Sequence, residues 1–121
     1  MGESNFDLEE RTGKFGEEII DFAKSLKENI INKPLINQLI RSGTSIGANY
    51  MEANGAESKN DFKHKIALCK KESKETMHWL RMVAQANDER RKDCADLLNE
   101  AHQLTMIFAK ALSTCRKNKN Y

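Results

Sequence analysis

The sequence predicts an all-α protein, an antiparallel up-down-up-down four-helix bundle, as a single domain over residues 1–121. Three observations predict it. Apolar residues recur at steps of three and four through four long segments, the period of helices that each bury one face. The breaks between segments are only about two to five residues long, which forces neighbouring helices to run antiparallel. Charged residues make up 31% of the chain and aromatic residues 7%, with one proline, a profile that suits helices better than a sheet.

Helix 1 is expected over about residues 7–31. Asp7 is placed to cap it, with Glu9 and Glu10 in the first turn. Leu8, Phe15, Ile19, Phe22, Leu26 and Ile30 form its buried stripe, and Gly13 and Gly16 weaken its first turns. Asn32-Lys33-Pro34 reads as a turn, because the residue before a proline avoids helical backbone.

Helix 2 is expected over 34–54, with Gly55 as its C-terminal stop. Ile36, Leu39, Gly43, Ile46, Gly47, Tyr50 and Ala53 make its core face. Two glycines inside a helix each cost about 1 kcal/mol relative to alanine. Close approach of a second helix is the simplest compensation. On the other side Arg41, Ser45, Asn49 and Glu52 line up as a polar ladder. That ladder is either a solvated surface, a hydrogen-bond network at a subunit contact, or a row facing a ligand.

Helix 3 is expected over 59–86, started by Ser58 or Asn60. Its core face is Phe62, Ile66, Cys69, Ser73, Thr76, Leu80 and Val83, where Ser73 and Thr76 can bond back to helix carbonyls. A second stripe, Leu68, Trp79, Met82 and Ala86, lies beside the first. One stripe serves a core, and two point to a self-association surface; the alternative is an unusually wide core face. Asn87-Asp88 makes the next turn. Helix 4, over 88–116, has Asp88 as its expected cap and Cys94, Leu97, Ala101, Leu104, Phe108, Ala111, Leu112 and Cys115 as its stripe. Residues 117–121 are expected to be a disordered tail.

Net charge is only +2, but its distribution is uneven. Residues 1–28 hold eight acids and four bases, and the remainder ten acids and sixteen bases. Candidate phosphate contacts are Lys59, Lys63, Lys70, Lys71, Lys74, Arg90, Arg91 and Lys92, with Arg41, Arg81, Arg116 and Lys117 as further bases. The alternative is an ordinary solvated helix surface. Only Tyr50 and Trp79 offer nearby rings, and both have packing roles available.

Other chemistry finds little footing. A ferritin-like di-iron centre needs two inward Glu-x-x-His motifs; this chain has one, Glu75 to His78, on the side away from the core face. His64, His78 and His102 are isolated, and there is no nucleophile elbow and no phosphate loop. Cys69, Cys94 and Cys115 fall on apolar faces without a C-x-x-C pair. No catalytic residue, cofactor or metal is assigned. Neither a signal peptide nor an apolar run of ~18 residues is visible, so a cytoplasmic protein without membrane contact is expected.

The string RSGTSIGANYMEA, through Arg41, Ser45, Ile46, Asn49 and Glu52, resembles the R-x-x-x-S-I-x-x-N-x-x-E helix of the 23S rRNA intervening-sequence proteins, a four-helix-bundle family. Phe62, Lys65, Ile66, Ala67, Glu72, Glu75, Thr76, Trp79 and Leu80 are similar to that family's next helix, and Arg11, Thr12 and Phe15 fit near the start. Tyr50-Met51-Glu52-Ala53 departs from the isoleucine, alanine, glutamate and glycine more usual there. The resemblance implies a bacterial protein that forms a ring-shaped homopentamer, a geometry shared with accessory proteins of diversity-generating retroelements. Those bind nucleic acid and a reverse transcriptase through a basic surface. By that analogy the chain is expected to be non-enzymatic and to bind RNA or DNA. The alternative is a protein-interaction scaffold without nucleic acid.

Overall fold

The computed structural model describes residues 5–117, with side-chain environments for residues 7–115. Four α-helices account for most of it: α1 (Asn5–Lys24), α2 (Asn32–Asn54), α3 (Lys59–Ala86) and α4 (Arg91–Lys117), the last preceded by one 3-10 turn over Asp88–Arg90. No strand occurs among the described residues.

Contacts between neighbours run antiparallel. Gly47 lies against Thr12 and Gly43 against Ile19, so α2 descends as α1 rises. Arg41 reaches Glu72 while Lys65 reaches Glu52 across α2 and α3. Arg11 pairs with Glu100, and Arg90 donates to the Ser25 carbonyl, from α1 to the α4 end of the chain.

Phe15, Ile19, Leu39, Ile46, Ile66, Leu80, Val83, Leu104 and Phe108 fill the centre and are almost wholly buried. The glycines of α2 serve close packing. A Cβ on Gly43 would stand 2.9–3.3 Å from the Ile19 side chain, and one on Gly47 would stand 3.4 Å from the Thr12 backbone. The space they leave lets α1 settle directly on α2. Buried hydroxyls bond as their sequence positions suggest. Ser73 donates to the Cys69 carbonyl and Thr76 to the Glu72 carbonyl, each at 2.8 Å. Among the described residues no buried side-chain nitrogen or oxygen lacks a partner.

Several expectations are corrected at the helix ends. Helix α1 stops at Lys24, not near 31, so Ile30 leaves the buried stripe and is 87% exposed. The cause is local. The Ser25 and Leu26 amides bond three residues back to Phe22 and Ala23, and the Ser25 hydroxyl also donates to the Phe22 carbonyl. Those bonds tighten the last turn and close the helix. Asn29 then accepts the amides of Ile31 and Asn32 on its side-chain oxygen, a capping arrangement that begins α2 before Pro34. Leu26 still reaches the core from this turn, which is why the apolar period runs past the true helix end.

Asp88 does not cap α4. It accepts from Arg91 within a 3-10 turn that has no side-chain cap. At the other termini, Asn5, Phe6 and Lys117 belong to helices, while residues 1–4 and 118–121 lie outside the described residues. One buried device joins the two loops at the same end. Asn32 and Asn87 exchange amide hydrogen bonds of 3.1 and 2.9 Å, and each amide also donates to a backbone carbonyl, of Lys27 and Val83 respectively.

Candidate nucleic-acid interface

Helix α3 carries the candidate site, and its start is well fixed. The Ser58 hydroxyl accepts the Asp61 amide at 3.0 Å, a side-chain cap on the first turn. From there 28 residues run without interruption, about 42 Å of helix. The core face is anchored between α2 and α4. The two remaining flanks differ sharply in charge.

The flank toward α2 is neutralised. The Arg41 guanidinium donates to Glu72 at 3.2 Å, to Glu75, and to Gln38 at 3.0 Å. Glu75 also accepts the Trp79 indole N–H at 3.1 Å. Glu72 is only 8% exposed, so its carboxylate depends on that guanidinium for compensation. Further along, Lys65 donates to Glu52 at 2.7 Å, and that hydrogen bond holds the Lys65 ammonium above its usual range. The polar ladder of α2 thus ends in cross-helix ion pairs, Arg41 with Glu72 and Glu75 at one end and Glu52 with Lys65 at the other. Its middle rungs bond to α2 itself, Ser45 to the Arg41 carbonyl and Asn49 to the Ser45 carbonyl.

The outer flank is different. Lys63, Lys71, Lys74 and Arg81 are exposed and Lys70 is half-buried. None of the ion pairs among the described residues includes any of the five. Lys70, Lys71 and Lys74 border one surface cavity together with Ala67 of α3 and Leu112 of α4. The acids of α4 are engaged elsewhere: Asp93 with Arg90, Asp96 with Lys92, and Glu100 with Arg11 across to α1.

The structure therefore divides the candidate bases. Arg90 donates to Asp93 at 2.8 Å and lies 5.0 Å over the Phe22 ring. Arg91 is held by Asp88 at 2.6 Å and Lys92 by Asp96 at 3.1 Å. Each of these three meets an acid three or four residues away; Arg90 also donates to the Ser25 carbonyl, and Lys92 stays 84% exposed. Lys59 stands exposed at the first turn of α3. Neither ring available in the sequence joins the basic flank. Tyr50 is buried with its ring 6.1 Å from Phe108, and burial pushes its phenol upward. Trp79 is half-buried and bonded to Glu75 on the α2 side.

The second stripe also lies toward that side. Leu68, Trp79 and Met82 are half-buried and Ala86 is exposed. Sequence reasoning missed a second apolar surface. Ile20, Ile30 and Ile31 are exposed, and Ile20, Ile30, Ile36 and Ile40 border a groove of about 620 Å³ between α1 and α2. Ile20 falls off every core stripe in the sequence, which was the readable signal; Ile30 was masked by its periodic spacing.

The histidines and cysteines are dispersed among the described residues. His64, His78 and His102 are exposed, and no group of three potential ligands converges. Cys69 is buried with its thiol pushed up to about 12 by desolvation, the protonated and inert state of a core cysteine. Cys94 is buried and shifted the same way. No helix of the described residues is long and apolar enough to cross a membrane.

The family model described as 23S rRNA-intervening sequence protein matches residues 5–110. A crystal structure of a protein of unknown function from Bacteroides thetaiotaomicron, of the S23 ribosomal protein family, is similar to this chain with a TM-score of 0.77 and 28% identity. The match covers 86% of this chain and 96% of that one. No curated protein matches the chain.

Proposed function

The chain belongs to the 23S rRNA-intervening sequence protein family, and from that premise we propose that it is a non-enzymatic, self-associating protein of the cytoplasm that binds RNA or DNA through the outer flank of α3. The observation that carries this reading is the row Lys63, Lys70, Lys71, Lys74 and Arg81, five bases that no acid of the described residues neutralises. Phosphate binding draws its affinity from such charges through counterion release.

Self-association draws support from two apolar surfaces, the Leu68–Trp79–Met82 stripe and the exposed isoleucines of the α1–α2 groove. A ring such as the homopentamer implied by family resemblance would repeat the basic row around its rim and raise avidity with no new contact.

The test is a titration of labelled RNA and DNA at two salt concentrations, alongside the mass of the assembly in solution. Micromolar or tighter binding that weakens steeply with salt is expected, with a mass above one protomer. Absence of binding at low salt would remove the nucleic-acid function and leave a protein-interaction scaffold. Trp79→Ala is expected to lower the mass while helicity is kept; an unchanged mass would take the stripe out of the interface.

A further inference from the structure

Resting on the nucleic-acid reading above, we infer that the outer flank of α3 grips the phosphate backbone of a double-stranded nucleic acid rather than an unpaired strand. The first ground is the shape of the row. At about 100° per residue, Lys63, Lys70, Lys74 and Arg81 fall within a narrow sector of one uninterrupted helix. Their axial spacings are about 10, 6 and 10 Å, a row of about 27 Å in all. The core face of α3 is clamped between α2 and α4, with Ile66, Cys69, Ser73, Thr76, Leu80 and Val83 all buried. A stiff, nearly linear row of charges complements a stiff, regular array of phosphates. An unpaired strand would have to be straightened to meet it.

The second ground is the shortage of stacking rings along the row among the described residues, where only the half-buried Phe62 borders it, at the Lys63 end. Sequence-tolerant binding of single strands combines a basic groove with rings on which bases stack. Among residues 7–115, Phe15, Phe22, Tyr50 and Phe108 are buried, Phe62 is half-buried, and Trp79 is turned to Glu75 on the opposite flank. Phosphate contact is what this surface offers.

Counterion release then sets the direction of preference. The salt exponent is about −0.9 per phosphate for duplex DNA and about −0.7 for single strands. With the four aligned contacts at 0.1 M salt, that difference alone favours the duplex about sixfold.

The experiment uses the whole chain in its native assembly, with one 20-nucleotide sequence prepared as single-stranded RNA, single-stranded DNA and both duplexes. Binding is followed over a salt series. The expected result is about sixfold tighter binding to duplex at 0.1 M salt, with a slope of about −3 to −4 for each protomer engaged. The two duplex arms show whether RNA or DNA is preferred. Equal or tighter binding of the single strands overturns this inference and leaves the nucleic-acid reading standing. Binding to none of the four overturns both. Since the comparison is made on the unaltered protein, it does not depend on any variant folding.

Discussion

Along the flank of α3 that faces α2, each acid meets a base: Glu72 and Glu75 share Arg41, and Lys65 finds Glu52. Along the outer flank of the same helix, Lys63, Lys70, Lys71, Lys74 and Arg81 meet no acid of the described residues. One helix thus carries a closed electrostatic seam and an open one, separated by nearly half a turn at about 100° per residue. The near-zero net charge conceals this, because the compensating acids are gathered in the first 28 residues. The closed seam joins α2 to α3 through its ion pairs. It has no need of the open one for folding, since like charges on one face repel. The open row is therefore the part of α3 on which the proposed nucleic-acid binding rests.

The strongest way to break that contrast is to reverse the open row. Lys70→Glu, Lys74→Glu and Arg81→Glu together remove three phosphate contacts. At 0.1 M salt each contact contributes about eightfold, so duplex affinity should fall by about 500-fold or more. The midpoint of unfolding should move little, because these side chains have no ion pair to lose. Arg91→Gln is the matched control. Its guanidinium is already occupied by Asp88, and a loss beyond about threefold would show that the paired bases also bind phosphate.

A smaller effect sharpens the closed seam. Arg41→Ala leaves the Glu72 carboxylate, 8% exposed, without its cation. The arginine side chain is itself 44% exposed, so solvent screening tempers the loss. Destabilisation of about 1–2 kcal/mol is expected, read as a lower denaturant midpoint. Adding Glu72→Gln should recover part of it, because a neutral amide is cheaper to bury than an orphaned carboxylate. If Arg41→Ala alone proves neutral, water replaces the guanidinium and the seam is held by packing.

The sequence showed much of this and concealed a definable remainder. The helical period placed Ile66, Cys69, Leu80 and Val83 on the core face of α3, where they are buried. Gly43 and Gly47 were readable as close-packing residues because two helix-internal glycines demand compensation. Periodicity failed at Ile30, since a residue at the right spacing cannot reveal that the helix has already closed at Lys24. Partners distant in sequence were also out of reach. Asn32 and Asn87 each read as a turn residue, and only the fold brings them to 2.9 Å of one another. The candidate bases looked alike in sequence. Lys63 and Lys74 differ from Arg90 and Lys92 in what surrounds them, which is a matter of helix face and of the neighbouring chain.

The smallest expected effect lies at the far end of the closed seam. Arg41 and Glu52 belong to one ladder in sequence, and a shared network would make them equally sensitive. The structure separates them. The Glu52 side chain is 60% exposed and meets Lys65 alone. Exposed pairs of this kind contribute about 0.2–1 kcal/mol and are screened by salt. Glu52→Ala should therefore shift stability by no more than about 0.5 kcal/mol, and a double-mutant cycle with Lys65→Ala should give a coupling that shrinks further in high salt. A coupling above about 1 kcal/mol that persists in salt would mean that the pair is shielded from solvent in the working protein. The assembly interface would then have to cover this end of the α2–α3 seam, and the ladder would be one unit after all.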